Sequence, residues 1–402
     1  MHVSVFLLGL KTMNFIEVVF WVSLMVLFYT FIGYALIVWV LVKIKGLFGQ
    51  ERFFNNAFEP EVSLVVPCFN EASVLAQKIK NCEALDYPRK KLKIIFITDG
   101  SDDGSNQMLD KVSGVTVLHE HKRAGKSVAE NRAMLHVTSP FVIFSDANTR
   151  LNKEAVREIV KHYQDENVGA VAGEKRIVTQ TQDSAPAAGE GFYWRYESRL
   201  KRLDSQFHSV VGGAGELISF RSELFSPLEE DTILDDFVQS MRITLNGFRV
   251  VYEPKAFAEE TASATVKEEL KRKVRISAGA WQAMSRLGTA FNPFHNFAIS
   301  FLFISHKVFR WTLAPLALFL LIPVNYYLHN TQQGVYSLVW ITQGCFYLFT
   351  LVGWYLENKK VHVKLVFIPY YFFMTNWCMY LGFFRFMFGE QSTKWERAQR
   401  AE

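Results

Sequence analysis

Two adjacent aspartates, Asp235 and Asp236, are the pair of side chains in this sequence best suited to acid–base chemistry. They follow a strongly acidic segment, residues 227–231, and like charges at short range raise the pKa of a carboxyl group toward the range in which it serves as a base. Paired aspartates also begin ordinary surface helices, where they interact favourably with the helix N-terminus. The sequence therefore offers two interpretations, a catalytic base or a helix start.

A second group of oxygen-bearing side chains, Asp146 and Asn148, directly follows the apolar run 141–144. Mg²⁺ and Mn²⁺ prefer oxygen ligands and commonly take one or two from protein and the rest from water and substrate phosphates. The same tripeptide can form a simple Asx turn. Its place after a buried strand favours a site for Mg²⁺ or Mn²⁺ completed by a diphosphate.

Two further loops have the composition of a nucleotide site. Residues 99–105 contain three aspartates and two glycines, with Asp99 first, and residues 121–126 are basic, contain Gly125 and end at Lys126. Cations beside a glycine at a helix start suit a diphosphate. Asp102 or Asp103 can equally cap the following helix, and the basic loop can simply be solvated. The 12-residue calcium-loop pattern ending in Glu is absent from the sequence.

Alternating apolar runs and helical patterns position these loops. Strands are predicted at 62–66, 92–98, 115–118 and 141–144, with helices at 73–84, 105–112 and 127–137. Such alternation predicts an α/β fold with a mostly parallel sheet. Because ligands bind at the carboxyl ends of such strands, we expect the loops to meet at one edge.

Apolar residues are concentrated at the two ends of the 402-residue chain, which contains 36 Phe, 15 Tyr and 9 Trp. Residues 15–42, 311–328 and 335–356 are each long enough to span a membrane. The lysines at 43 and 45 place the central domain in the cytoplasm, against the inner (plasma) membrane. Residues 365–388 either cross as well or turn back within the membrane, and residues 294–304 predict a helix lying at the interface.

These patterns predict four regions: a transmembrane helix in 1–45, a cytoplasmic domain in 46–286, an amphipathic interface helix in 287–310 and a transmembrane region in 311–402. Few ionisable residues lie within the predicted spans, which argues against a transporter. The net charge is +5, with basic and acidic residues interleaved, so no nucleic-acid partner is expected. The four cysteines lack metal-type spacing and are expected to be reduced.

Four motifs together resemble the membrane-bound family-two glycosyltransferases, the inverting group that includes cellulose, chitin and hyaluronan synthases. They are the segments 63–71 and 98–105, the pair Asp146 and Asn148, and Asp235-Asp236. The resemblance covers residues 58 to 286 by motif and implies a GT-A fold, the Rossmann-like nucleotide-sugar fold of these enzymes. It also implies that the aspartate pair is the acceptor base motif.

The resemblance assigns roles to individual residues. In the nucleotide-sugar site it implies Pro67, Asn70, Glu71, Asp99, Asp146 and Arg275, and the basic loop described above adds Lys126. Asn148 replaces the second aspartate of the metal motif, and Asp236, with Asp235 before it, matches the catalytic base. Gly215 and Glu216 match the acceptor region. Processive synthases of this group carry the motif Gln-x-x-Arg-Trp, whose tryptophan contacts the acceptor sugar. Arg275 matches its arginine, but Arg272 replaces the glutamine and Ile276 the tryptophan. Trp281 is therefore expected to contact the acceptor instead.

The resulting expectation is transfer of a sugar from a nucleotide-sugar donor, with a UDP-sugar favoured, to a growing polysaccharide or glycan. One alternative is transfer of a single sugar to a polyprenyl phosphate lipid. Another is a non-catalytic membrane subunit of a glycan export complex. With few predicted spans, an export channel would require a second copy or another subunit.

Overall fold

An eight-stranded sheet lies at the centre of the chain. The computed structural model describes residues 13–47, 54–55, 57–178, 185–263, 265–359, 361 and 363–389. The strands lie side by side in the order β3-β2-β1-β4-β7-β6-β8-β5. Their bounds are β1 Val62–Cys68, β2 Leu92–Thr98, β3 Thr116–Leu118, β4 Phe141–Phe144, β5 Arg150–Leu151, β6 Val168–Val178, β7 Ile218–Arg221 and β8 Arg249–Thr261.

Helices cover the sheet and form both ends of the described chain. Their bounds are α1 Phe15–Phe28, α2 Tyr34–Gly46, α3 Ala72–Glu83, α4 Ser105–Leu109, α5 Lys126–Met134, α6 Ala155–Val160, α7 Ala185–Phe207, α8 Asp235–Leu245, α9 Val266–Arg286, α10 Phe297–Leu302, α11 Phe309–Trp311, α12 Leu313–Gln332, α13 Val335–Asn358 and α14 Lys364–Met387. Two π-helical turns, Tyr29–Gly33 and Phe303–Val308, join α1 to α2 and α10 to α11.

The first half of the sheet has the predicted parallel arrangement. Strand β1 pairs in parallel with β2 and β4, and β2 pairs in parallel with β3. Every residue of β1 is buried, as expected for a strand covered by helices on both faces. The strands predicted at 92–98 and 141–144 are confirmed to the residue, and the α/β fold class is confirmed with them.

The second half of the sheet makes it mixed. Strand β7 is antiparallel to both of its neighbours, β4 and β6, whereas β6 and β8 are parallel and β5 pairs antiparallel with β8. The sequence patterns did not predict β6 or β8. These long strands matter for the site because α7 follows β6 and packs against both β6 and β8.

The loops after β1, β2 and β4 meet at the carboxyl edge of the sheet. The backbone amide of Asp99 donates to the carbonyl of Cys68 (3.1 Å), and the amide of Ser145 donates to the carbonyl of Val65 (3.1 Å). The three loops therefore start side by side, which is what positions their polar side chains around one space.

Three helical stretches in the described residues are long and apolar enough to cross a membrane: Phe15–Gly46, Leu313–Gln332 and Val335–Asn358. Residues 365–388 lie almost entirely in α14, one continuous helix through Pro369, which is not among these three stretches. The amide of Asn376 bonds to the carbonyl of Phe372 within the same helix (2.8 Å), so this polar residue does not interrupt it.

The segment predicted as an interface helix starts later than expected. A short 3-10 helix occupies Gly288–Phe291, and α-helical structure begins at Phe297 and continues through the π turn to Trp311. Its buried face includes Ile299, Leu302 and Phe303, whereas Phe294 is 98% exposed and Phe297 71% exposed. The segment therefore has one face packed on the protein and an exposed aromatic edge.

Candidate active site

Asp99 fixes the basic loop that leads into α5. It is fully buried, and its two carboxylate oxygens accept hydrogen bonds from the amides of Ala124 (2.9 Å) and Gly125 (2.8 Å). Gly125 has a φ of 115°, a conformation that other residues avoid. The carboxylate expected to contact the nucleotide thus also holds the turn that places Lys126 at the start of α5.

The loop after β1 is tied to the loop after β2. The side-chain amide of Asn70 donates to Oδ1 of Asp102 (2.8 Å), and the backbone amide of Asp102 donates to Oδ1 of Asn70 (3.0 Å). Asp103 accepts from the backbone amides of Ala72 (2.9 Å) and Ser105 (3.0 Å), so the predicted cap exists and also joins the two loops. Pro67, Asn70 and Glu71 therefore lie at the end of β1 against the second loop.

Lys126 connects the metal-type loop to the aspartate pair. Its Nζ lies 2.9 Å from Oδ1 of Asp146, 3.3 Å from Oδ2 of Asp235 and 3.7 Å from Oε1 of Glu130. Burial disfavours the charged amine, yet these carboxylates hold the pKa of Lys126 well above its usual range. The residue predicted to bind the diphosphate is therefore fixed by the acidic groups around it.

The two aspartates of the pair have different protonation behaviour. Lys126 and a hydrogen bond with Glu130 outweigh burial and lower the pKa of Asp235. Burial, and then the charge of Asp235, raise the pKa of Asp236 to about 7. Burial and Asp235 also raise the pKa of Glu130. Asp235 is thus the fixed charge, and Asp236 is the group able to exchange a proton near neutral pH.

Asp236 is oriented toward the segment before β7. Its Oδ1 accepts from the backbone amide of Phe237 (2.8 Å). A methyl group placed on Gly215 would lie 3.4 Å from Oδ2 of Asp236 and 3.1 Å from Nζ of Lys126. Because Lys126 also contacts Asp146, the structure brings Asp236, Gly215 and Asp146 together. Residues predicted from three distant parts of the sequence thus surround one space.

Asp146 and Asn148 are held by groups that the sequence patterns did not reveal. Lys78 on α3 is 2% exposed and donates to Oγ of Ser145 (2.7 Å) and to the carbonyl of Thr149 (3.0 Å). The amide nitrogen of Asn148 donates to Oε1 of Glu260 on β8 (3.0 Å). Lys78 carried no signal in the sequence, because a lysine on an amphipathic helix ordinarily faces solvent.

Glu216 belongs to a buried ion-pair group. Lys175 on β6 forms ion pairs with both Glu216 and Glu260, and its side chain is almost completely enclosed. Burial opposes ionisation of Glu216, but Lys175 lowers its pKa to about 2. Glu216, predicted to contact the acceptor, is therefore a permanent charge that joins the segment before β7 to β8.

Helix α9 fixes the segment that carries the aspartate pair. A methyl group on Gly279 would lie 2.7 Å from Leu234 and 2.8 Å from Ile233, so the helix touches this segment directly. Oε1 of Gln282 accepts from the amide of Ile233 (3.0 Å), and Arg286 pairs with Asp231 (2.5 Å). The sequence patterns gave no indication of these contacts.

Arg275 and Trp281 lie on different sides of α9. Arg275 is one turn before Gly279, and the charges of Asp235, Asp146 and Asp236 act on it, although burial lowers its pKa. Within the described residues it has no hydrogen bond or ion pair. Trp281 is about 200° around the helix from Gly279, and its ring packs against Phe383 of α14, 4.8 Å between centroids. The structure therefore brings Arg275, rather than Trp281, toward the aspartates.

The residues around Asp146 fit a divalent cation. Burial raises the pKa of Asp146, Lys126 opposes this rise, and Glu216 and Glu260 add to it, so a cation at this place would favour the ionised carboxylate. With its nitrogen engaged by Glu260, Asn148 can offer its amide oxygen as a second ligand. No group of three or more His, Cys, Asp or Glu suited to a metal occurs in the described part of the chain. Two protein ligands would leave the remaining positions to water and phosphate oxygens.

The arrangement is that of the GT-A fold, and comparison with known proteins agrees. The solved structure of the mannosyltransferase PcManGT from Pyrobaculum calidifontis, in complex with GDP-Man and Mn²⁺, matches with a TM-score of 0.74 at 18% identity. The match covers 94% of this chain and 100% of that chain. At this identity the likeness establishes the fold.

Residues 63–228 match the family described as Glycosyl transferase family 2. The chain is 24% identical over 268 residues to the poly-beta-1,6-N-acetyl-D-glucosamine synthase of Staphylococcus aureus (strain COL), covering 62% of this chain and 64% of that protein. The synthase of Staphylococcus epidermidis (strain ATCC 35984) is 23% identical over 268 residues. The match thus spans less than two thirds of these relatives. Together the comparisons support a family 2 glycosyltransferase domain, whose matched segment ends before Asp235.

Proposed function

We propose that the protein is a membrane-integrated, inverting family 2 glycosyltransferase that extends a glycan with sugars from a nucleotide-sugar donor. The observation that carries this proposal is Asp236: a carboxyl group with a pKa of about 7 that shares one space with Lys126 and the metal-type loop. A group that ionises near neutral pH is suited to take a proton from a hydroxyl. The glycosyltransferase domain match supplies the reaction class.

In the proposed reaction, Asp236 removes the proton of an acceptor hydroxyl while the oxygen of that hydroxyl attacks the anomeric carbon. The bond from that carbon to the diphosphate breaks, and the nucleoside diphosphate leaves with the electron pair. A single displacement of this kind inverts the anomeric configuration. Asp235 stays ionised beside Lys126 and so keeps the pKa of Asp236 high enough for the proton to be accepted.

Charge on the leaving diphosphate is stabilised by cations of the chain. Arg275 has no partner within the described residues and faces the acidic groups, so it is available to phosphate oxygens. Lys126 is proposed to turn from Asp146 toward the diphosphate when donor binds. A Mg²⁺ or Mn²⁺ held by Asp146 and Asn148 would neutralise further phosphate charge. Asn70, Glu71 and Asp99 are proposed to border the nucleoside, next to Pro67.

The comparisons suggest candidate substrates. The curated relatives are named for a polymer of N-acetylglucosamine, and the solved structure holds GDP-Man. We propose a hexosyl or N-acetylhexosaminyl donor, with a UDP-sugar favoured, and a glycan acceptor approaching Gly215 and Glu216. Trp281 remains a proposed acceptor contact farther from the base, toward α14.

The proposed membrane arrangement keeps residues 46–286 in the cytoplasm, beside the inner membrane. It rests on the three apolar helical stretches and on the lysines that end the first of them. Residues 287–310 would lie at the interface, with the exposed Phe294 and Phe297 in the lipid, and residues 311–402 would form the C-terminal membrane region.

A screen of sugar nucleotides with the full-length protein in detergent, with and without Mn²⁺ or Mg²⁺, tests this function. We expect one donor to be consumed and the product to be a polymer insoluble in organic solvent. The Asp236→Asn variant should lose at least about a hundredfold in turnover, while Glu166→Gln, a change of an exposed carboxylate, should not. Near-normal turnover by Asp236→Asn would contradict the catalytic assignment. A product found only in the solvent extract would indicate transfer to a lipid instead.

A further inference from the structure

One face of α7 carries charged side chains that are almost completely buried. Glu197, Lys201 and Asp204 recur at helical spacing and are 2%, 5% and 0% exposed. Burial of a charge is costly unless a partner compensates it. The partners of each side chain therefore indicate what that side chain is for.

The two acidic members of this face are paired with residues near the candidate membrane spans. The carboxylate of Glu197 contacts Lys307 (2.5 Å) and Arg310 (2.6 Å). Asp204 accepts from the hydroxyl of Tyr34 on α2 (2.6 Å) and contacts Nδ1 of His306 (2.6 Å). These contacts lock α7 between the sheet and the membrane-proximal helices.

Lys201, which lies between the two acids, is different. Within the described residues it has no hydrogen bond or ion pair, and its Nζ lies 5.7 Å from the ring centroid of Trp194. At 5% exposure its ammonium is nearly enclosed, so a ligand in the space beside Trp194 would supply the hydrogen-bond acceptor that it lacks.

This space adjoins the candidate active site. The ring of Trp194 is also 4.9 Å from Nζ of Lys175, which pairs with Glu216, and Glu216 is next to the Gly215 backbone that faces Asp236. The loops assigned to the nucleotide all follow β1, β2, β3 and β4, whereas α7 follows β6 and packs against α2. Lys201 therefore lies on α7, which contacts the first candidate membrane span, and not on one of the nucleotide loops.

The charges near Lys201 indicate which group it would bind. Burial lowers the pKa of Lys201; Glu197, Glu216 and Asp236 act to raise it, and Lys307 acts to lower it. Lys307 and Arg310 already pair with Glu197, and Lys175 pairs with Glu216. Ionised Asp236 is therefore the charge that balances Lys201, and a phosphate would add an uncompensated charge in a buried place. A neutral group rich in hydroxyl oxygens can accept its hydrogen bonds without that cost.

We propose that Lys201 is an acceptor-binding residue whose ammonium donates hydrogen bonds to hydroxyl oxygens of a neutral glycan beside Asp236. This inference rests on the proposed glycosyl transfer and assigns its acceptor to the neutral glycans rather than the lipid phosphates. It also places the acceptor's path along α7, between the membrane-proximal helices and the base.

The test compares Lys201→Met and Lys201→Gln with Arg202→Gln, a change of the exposed neighbour on the same helix. Full-length enzyme is assayed with the donor found in the screen, using a β-1,6-linked N-acetylglucosamine pentasaccharide as acceptor and, separately, water alone. We expect Lys201→Met to raise the acceptor KM at least tenfold, with the donor KM within twofold of wild type. Lys201→Gln, which keeps a hydrogen-bond donor, should be intermediate, and Arg202→Gln should behave as wild type.

The outcomes separate this inference from the proposed function. If wild-type enzyme consumes no donor with or without acceptor, the proposed function fails and the inference fails with it. If wild type is active and Lys201→Met leaves the acceptor KM within twofold, or raises the donor KM equally, only the acceptor role is overturned. Binding of the pentasaccharide to Asp236→Asn and to Asp236→Asn/Lys201→Met, by calorimetry, gives a readout that needs no turnover. Glycosylation of farnesyl phosphate that depends on Lys201 would overturn the assignment to neutral glycans.

Discussion

The Nζ of Lys126 lies 2.9 Å from Oδ1 of Asp146, and this contact joins the two halves of the candidate site. Asp146 follows β4 at the parallel part of the sheet, and the same amine reaches Asp235 at the start of α8 (3.3 Å). One cation thus compensates carboxylates that are about 90 residues apart in the sequence. Without it, the acidic groups would repel one another in a partly dehydrated space.

Replacement of Lys126 by Met should therefore affect both ionisation and turnover. The loss of its charge leaves Asp235 and Asp146 unpaired, so the pKa of Asp236 should rise further and the pH–rate profile should move to higher pH. We expect kcat/KM at pH 7 to fall at least about a hundredfold. Lys122→Met, in the same basic loop but exposed, is the matched control. A profile with an unchanged midpoint would contradict the electrostatic role of Lys126.

The pH dependence of the wild type should report Asp236 itself. Because the base must be ionised, kcat/KM should rise with pH through about 7 and level off above it. Charged groups that face Asp236 are Asp235 on α8, Lys126 on α5, Glu216 before β7, Lys201 on α7 and Arg275 on α9. These groups surround Asp236, and Asp236 itself is the group whose pKa is brought to about 7. Activity that is flat from pH 5 to 8 would contradict the assignment.

The same raised pKa predicts a stability effect of opposite sign. The folded protein holds the Asp236 proton more tightly than the unfolded chain, so the stability that this group contributes is complete below the ordinary carboxyl pKa and is lost as pH rises to about 7. Asp236→Asn removes that dependence. At pH 8 the free energy of unfolding of the variant should exceed that of wild type by on the order of 2 kcal/mol, so the variant should unfold at a higher temperature. This gain should shrink toward pH 5. Thermal unfolding in detergent at both pH values measures the difference.

Sequence patterns predicted the first half of the fold closely because its strands are uninterrupted apolar runs. Strands 92–98 and 141–144 match β2 and β4, and the loops after them carry Asp99 and Asp146 as expected. Strands β6 and β8 were not predicted, since their buried positions include Lys175 and Glu260, which resemble surface residues until their ion pair is seen. Burial of charge depends on partners that are distant in sequence, and periodicity cannot report it.

The same limit applies to the site. The sequence identified residues whose side chains can act as a base or bind a metal, such as Asp236 and Asp146. It did not identify the residues that hold these side chains in place. Lys78 and Lys201 lie on helices where a lysine normally faces solvent, yet both are buried. Gly279 looked like an ordinary helix residue, although the contact of α9 with the aspartate segment requires it. Trp281 was expected near the acceptor, but the direction of its side chain depends on the packing of α9 against α14.

Gly279→Ala should disturb the aspartate pair without touching a charged group. The added methyl group would meet Leu234 at 2.7 Å and Ile233 at 2.8 Å, so α9 or the segment before Asp235 must shift. We expect a loss of stability of about 1–3 kcal/mol and a lower kcat with a smaller change in donor KM. Gly288→Ala, where no atom lies within 4 Å of the added carbon, is the matched control. Equal activity of the two variants would show that close packing at Gly279 is unimportant for the site.

Asn148→Asp tests why the metal motif ends in an amide. The nitrogen of Asn148 donates to Oε1 of Glu260 at 3.0 Å, so an aspartate there would place two carboxylates in contact. Without added metal, the free energy of unfolding of the variant should therefore be about 1–3 kcal/mol lower than that of wild type, and the variant should unfold at a lower temperature. Added Mn²⁺ should restore more stability to the variant than to wild type, because the cation would neutralise the extra charge. Thermal unfolding with EDTA or with Mn²⁺, for both proteins, measures this difference. Gln107→Glu, which adds the same charge at an exposed position of α4, is the matched control. An Asn148→Asp protein as stable as wild type in EDTA would contradict the role of the amide.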